Sequence, residues 1–398
     1  MKIIFLAHLF PLPQDSGGKI KSYHTLRALS ERHETHVISF LRTRDEADRA
    51  PELESMCASV CAVPLVRGRL RYLSDAALSL AARRSFIVSR DFRREMARLV
   101  QERVERIRPD VIHIDHLQMA QFVDFDSAPK TVLDQHNVES TIIRRIAQTS
   151  PSQGMRLYAR LEWPKLRAYE LWACRKASLV TTVSDEDRIA LQAMDPQLTH
   201  VHTVPIGVDT DYFRPVERSA GSVNILSIGT MHWPPNVESM LYFYKEILPL
   251  VRRQIPQCTL TIAGQQPVAA IRALAADPVV RVTGYVSDAR EVARDCAVFV
   301  VPLLSGSGVR VKILNAMAMG LPIVSTSVGA EGLDARPGTA MLIADTPDGF
   351  ARAVVEVMKR RDLADRLGRE GRALVCEKYS WKIVGERLLA LYDERLAA

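Results

Sequence analysis

Residues 306–332 read GSGVRVKILNAMAMGLPIVSTSVGAEG, and the first seven of them hold Gly306, Gly308, Arg310 and Lys312. Glycines let a backbone come close to a ligand. The apolar spacing over 311–319 predicts a helix, so the N–H groups of Gly308, Val309 and Arg310 fall at a helix start, which leaves them without intrahelical acceptors and carries the positive end of the dipole. Two side-chain cations beside such a start suit a diphosphate better than a single carboxylate. A strand pattern over 297–302 precedes the loop and another over 323–326 follows the helix. Ligands in open parallel sheets bind outside the carboxyl ends of strands, which is where this loop would lie. The stretch is not a dinucleotide fingerprint, because a third glycine is missing, and no Gly-Lys-Ser/Thr follows to make a P-loop.

A second glycine loop stands near the start. The apolar run 2–8 predicts a strand; the loop containing Gly17 and Gly18 follows it, and then a helix with Tyr23, Leu26 and Leu29 on one side and Lys21, Arg27 and Arg32 elsewhere. This loop too would face a helix N-terminus, with a phosphate or substrate as its ligand or a plain turn as the alternative. Two more predicted strands, 111–116 and 131–137, each carry a histidine at the carboxyl tip. His136 is the candidate for contact with substrate.

These loops must be held by the rest of the chain. At 398 residues it is long for one core and fits two domains. Strand patterns at 36–40, 179–183 and 201–205 complete a first half. After a polar stretch at 217–222 the alternation restarts, with strands at 224–229, 259–264, 280–283, 298–302, 322–326 and 341–343. Alternating strands and helices imply parallel sheets covered by helices. A charged helix is predicted over 44–56, a long amphipathic one over 154–176 with Asn236 capping another, and a final helix over 380–396 with Trp381, Val384, Leu388, Leu391 and Tyr392 in register.

Composition narrows the class. Hydrophobic residues at 47% and charged residues at 25% fit a globular protein, and a net charge of +7 favours acidic partners such as phosphates or anionic lipid. No basic-aromatic array of a nucleic-acid binder accompanies that charge. The opening MKIIFLAHLFPLP reads as a strand rather than a signal peptide, and a cytoplasmic location is expected. The Arg-rich stretch 67–84 could lie on an anionic membrane face, with a solvated helix pair as the alternative. The six cysteines show no metal-like pairing and read as buried free thiols. No metal site is expected.

Taken together, VSDED at 183–187, VPIGVDTDYFRP at 204–215, SIGTMHWPPN at 227–236, TGYVSD at 283–288, KILNAMAMGLPIVST at 312–326, VGAEGL at 328–333 and the early Gly17-Gly18 loop strongly resemble the retaining glycosyltransferases of family 4, in particular bacterial enzymes of exopolysaccharide and cell-envelope glycans. The resemblance implies the GT-B fold, two Rossmann-like domains facing each other across a cleft. Residues 1–215 would bind the acceptor, 216–378 the nucleotide sugar, and 379–398 would form a helix packing back on the N-terminal domain. It further implies a nucleotide-diphosphate sugar as donor, a glycan or lipid-linked acceptor, retention of configuration, and no cofactor or bound metal. Gly308, Val309 and Arg310 would cradle the diphosphate, with Gly229, Gly17 and Gly18 nearby. His136 matches the family's histidine near the sugar and Glu331 its acidic residue after the fifth strand.

The chain departs from the pattern where the family carries two glutamates separated by seven residues: here they are Ser307 and Asn315. Asn315 would hold the donor ribose with one neutral hydrogen bond, weaker by about 1 to 2 kcal/mol. Arg and Lys often found after the first strand of the second domain are also missing, so Arg310 and Lys312 are expected to stabilise the departing diphosphate. Competing readings are a degenerate relative that binds nucleotide sugar or a partner glycosyltransferase with little turnover, and a nucleotide-sugar epimerase on the same fold.

Overall fold

The computed structural model describes residues 1–65, 79, 84–150, 152–306, 308–334 and 338–396. Ser307 and all but two residues of the Arg-rich stretch 67–84 lie outside the described residues. The chain divides into two compact units, one of residues 1–205 together with 385–398, the other of residues 206–384.

The first unit is a seven-stranded sheet whose pairings are all parallel. Its strands are β1 (Lys2–Ala7), β2 (Glu34–Leu41), β3 (Ser59–Pro64), β4 (Val111–Asp115), β5 (Lys130–Gln135), β6 (Leu179–Thr182) and β7 (Val201–Thr203), in the order β3-β2-β1-β4-β5-β6-β7. The chain order reverses beside β1, so β1 and β4 flank the switch point where ligands bind in such sheets. Ile3, Ile4, Phe5 and Leu6 are fully buried, because a central parallel strand is covered on both faces.

Three expectations change here. Edge strand β3 was not foreseen: its residues are mostly half-buried, so SVCAVP lacks the continuous apolar run of a central strand. The charged helix over 44–56 is two short ones, Arg44–Asp48 and Ala50–Glu54, broken where Pro51 cannot supply an N–H to a continuing helix. Of the cysteines, Cys61 is half-buried and Cys376 exposed.

The second unit is a six-stranded parallel sheet, β10-β9-β8-β11-β12-β13, with β8 Asn224–Ile228, β9 Thr259–Ala263, β10 Val280–Gly284, β11 Val298–Val301, β12 Ile323–Ser325 and β13 Leu342–Ile343. Side chains alternate between its faces: Val298 and Val300 join one core with Ile225 and Ile262, while Phe299 and Val301 join the other with Leu226 and Ala263. Ile313, Leu314 and Met317 of the Val311–Ala318 helix belong to the second core. That helix ends at Gly320, whose φ of +69° a β-carbon would strain. Helix Arg361–Lys378 crosses there so closely that a Cβ on Gly368 would come within 2.2 Å of the Gly320 carbonyl oxygen.

The last helix, Trp381–Leu396, begins in the second unit and belongs to the first from Gly385 onward. In the second unit Trp381 packs on Gly207, where an added Cβ would lie 2.6 Å from the indole. In the first, the hydroxyl of fully buried Tyr392 is 2.7 Å from Nδ1 of His113.

Candidate active site

In the second unit the loop before Val311–Ala318 stands at the carboxyl end of β11. Gly306 and Gly308 have φ of +128° and +78°, which glycine tolerates and other residues resist. Arg310 occupies the N-cap position and makes no capping bond with its side chain, so it leaves the first-turn N–H groups to other acceptors. Its guanidinium lies over Gly306, where a Cβ would come within 2.9 Å of Nη2, and donates to the carbonyl of Val328 at 3.5 Å. Val328 is in the short helix Ser327–Ala330, which Glu331 terminates. The loop, Arg310 and the turn carrying Glu331 are therefore neighbours.

Lys312 reaches the tip of β8. Its Nζ donates to Oδ1 of Asn236 at 2.7 Å, and a Cβ on Gly229 would lie 3.4 Å from that nitrogen. Burial, and then the Arg310 guanidinium, push the Lys312 ammonium down to about 7. Asn236 does not cap its helix: Pro234–Tyr242 has Trp233 at the N-cap. Instead the Asn236 side chain bridges Lys312 and the carbonyl of Thr230, to which Nδ2 donates at 3.0 Å. Gly264, at the end of β9, meets Gly229 backbone to backbone, and a Cβ there would fall 1.7 Å from the Gly229 carbonyl oxygen. Asn315 sits one turn into the helix, half-buried. Gly229, Gly308, Val309, Arg310, Lys312 and Asn315 thus share one end of the sheet, with Asn236 as a member that sequence reasoning assigned to capping.

In the first unit the tips of β4 and β5 carry a buried cluster. Asp115 and Asp134 are side by side in the strand register and both are buried. Two adjacent buried carboxylates stay ionised only if cations and donors surround them. Lys21 forms an ion pair with Asp134, and Thr181 Oγ1 donates to it at 2.7 Å. Asp115 accepts from Ser22 Oγ at 2.8 Å, from His116 Nδ1 at 2.9 Å and from His136 Nε2 at 2.8 Å. Burial opposes ionisation of both carboxylates, but His116 and His136 hold Asp115 well below the usual range, as Lys21 and His113 do for Asp134.

The two imidazoles, with centroids 3.7 Å apart, divide in the opposite sense. Burial also works against charge on His116, yet Asp115 outweighs it and raises its pKa. Burial, with His116 next to it, pushes His136 down to about 4. His136 is therefore neutral near pH 7, and because a carboxylate only accepts, it donates from Nε2 and keeps an accepting lone pair on Nδ1. That nitrogen would lie 3.8 Å from a Cβ on Gly18. Helix Gly17–Ser30 starts there with no side-chain cap from Ser16. Sequence reasoning singled out Gly17, Gly18 and His136 and missed Lys21, Ser22, Asp115, His116 and Asp134. The recurring Asp-plus-His at both strand tips was the available signal.

Two α/β units built on parallel sheets of seven and six strands have the architecture of the GT-B fold. Residues 20–212 match Glycosyltransferase Family 4 and residues 222–360 match Glycosyl transferases group 1, and the chain belongs to this glycosyltransferase family. It is 26% identical over 169 residues, 40% of this chain and 44% of the relative, to a 44.6 kDa protein in the cps region of Klebsiella pneumoniae. It is also 26% identical over 200 residues to a phosphatidyl-myo-inositol mannosyltransferase of Mycobacterium leprae, covering 48% of this chain and 52% of that protein. The chain thus aligns with about half the length of these curated relatives. Anabaena Alr3699/HepE, solved in complex with UDP and glucose, superimposes with a TM-score of 0.67 over 98% of both chains at 13% identity, a likeness of fold.

Proposed function

We propose that this protein transfers a sugar from a nucleotide-diphosphate donor to a glycan or lipid-linked acceptor, with retention of anomeric configuration and without a bound metal. The observation that carries the reading is the pair Arg310 and Lys312 at an uncapped helix start beside Gly229. As the bond from the anomeric carbon to the β-phosphate oxygen breaks, negative charge gathers on the diphosphate. Fixed cations and backbone N–H groups aimed at that charge lower the barrier without reorganising. Neutral His136 offers Nδ1 as an acceptor for a sugar hydroxyl. Asn315, Glu331, Gly17 and Gly18 are donor contacts in this reading. Residues 1–215 hold the acceptor in this reading, and 216–378 hold the donor. UDP and glucose in the HepE crystal, and the mannosyltransferase name of a relative, support a hexose carried by a nucleoside diphosphate. The reaction takes place in the cytoplasm at the inner face of the membrane.

The test is product formation from a panel of nucleotide sugars with lipid extracts as acceptor. Replacing both Arg310 and Lys312 by Ala should abolish most turnover, and turnover near that of the unaltered protein would refute the assignment. A second reading, a nucleotide-sugar binder with little turnover, is favoured by Asn315 standing where the family has a glutamate. It predicts donor binding with no product from any donor in the panel.

A further inference from the structure

We infer that the outward face of the first two turns of helix Gln153–Lys176 docks on an anionic membrane surface. This deepens the membrane part of the reading above and names the surface. The helix buries Ala159, Glu162 and Leu166 against the first unit. Its opposite side should then be polar, and is not: Leu157 is 60% and Leu161 56% exposed there, with Tyr158 at 37% on the flank. Leu157 and Leu161 are i,i+4 neighbours, so they form one stripe. An exposed i,i+4 leucine pair directly opposite the buried side of the helix marks an interaction face.

Charge selects the partner. From residue 140 to 161 there is no Asp or Glu, while Arg144, Arg145, Arg156 and Arg160 all fall in that span. Arg144 lies over the Trp163 ring at 5.6 Å, which fixes the adjacent Glu139–Thr149 helix against this one. The one carboxylate among these helical turns, Glu162, is buried and faces inward. An apolar stripe bordered by arginines and lacking exposed acids matches a bilayer interface, with leucines among the acyl chains and guanidinium groups at anionic headgroups. Within the described residues no helix is long and apolar enough to cross a membrane, so contact through this face would be peripheral.

Co-sedimentation of the full chain with vesicles tests this, using phosphatidylcholine alone and phosphatidylcholine mixed with phosphatidylglycerol. The protein should bind the mixed vesicles and not the neutral ones, and added salt should weaken binding. Leu157→Glu with Leu161→Glu should reduce vesicle affinity by about tenfold or more, and Arg156→Gln with Arg160→Gln should reduce it less and flatten the salt dependence. All these side chains point outward, so thermal midpoint and donor turnover on a soluble acceptor should stay unchanged. Failure to bind mixed vesicles, or equal binding by the leucine variant, overturns the proposal. So would a leucine variant that splits a dimer while vesicle binding persists, since the face would then serve a second copy. Loss of turnover in the Arg310/Lys312 variant bears on the transferase reading alone, so the two fail separately.

Discussion

Lys21, in the helix that follows β1, and Lys312, in the helix that follows β11, are two buried or half-buried lysines near helix starts, and their surroundings differ in one respect. Lys21 has a carboxylate partner, Asp134, in a cluster whose other carboxylate takes three donors. Lys312 instead donates to an amide oxygen, with the Arg310 guanidinium nearby, and its ammonium is pushed down to about 7. A charge already balanced stabilises the fold, whereas a charge left unbalanced is available to a ligand anion. Lys21 is tied into the architecture of the first unit, whereas Lys312 is, in the proposed reading, a cation that meets a ligand anion.

The sharpest way to break this contrast is to remove the cations on each side. Arg310→Ala with Lys312→Ala should lower kcat/KM by about 10³-fold or more, since losing one fixed donor to developing charge typically costs about 10² to 10³. Its thermal midpoint should hold or rise, because the Lys312 ammonium, which burial pushes down to about 7, is gone. Lys21→Ala should do the reverse: it leaves Asp134 buried and unpaired, and urea unfolding should show a loss of about 3 to 5 kcal/mol. If Lys21→Ala proved stable but inactive, the first cluster would belong to the chemistry as well.

Smaller effects sharpen the comparison. Asp115→Asn replaces one of the two accepting oxygens shared by Ser22, His116 and His136 with a donor, so the His136 tautomer is no longer fixed and kcat should fall by about 10- to 100-fold, more than the midpoint predicts, with the change visible in the His136 nitrogen NMR shifts. Lys312 gives a pH signature. An anion binds best to the charged lysine, so binding takes up a proton above the free-state value of about 7. Affinity for inorganic diphosphate should weaken by about tenfold per pH unit as pH rises from 7 toward the bound-state pKa, and be flat from this source below 7. Lys312→Arg should erase that slope in calorimetric titrations. For stability the sign is opposite: a lysine lowered in the folded state penalises folding most below 7, and the penalty lifts as pH rises.

The same contrast explains what could be read from the chain alone. The second site is contiguous, with Gly306, Gly308, Arg310 and Lys312 inside seven residues, so spacing and residue type were enough. The first site draws Lys21, Asp115, Asp134, His136 and Thr181 from four elements, and no local pattern links them. Lys21 was even expected away from the apolar side of its helix, because helical periodicity sorts residues by polarity, and a buried ion pair violates that sorting. Central strands were legible as continuous apolar runs. Edge strand β3 was not, because half-burial erases that signature. Asn236 shows the limit of capping rules: the residue type was right for a helix start, but the lysine beyond it claimed the side chain.

Tyr392 imposes an order on synthesis. Its hydroxyl meets His113 at a sequence separation of 279, and its ring is fully buried in the first unit. The N-terminal sheet therefore cannot reach its final form on the ribosome when its own strands have emerged. It must wait, with His113 and its neighbours open to water, until the entire second unit has been translated.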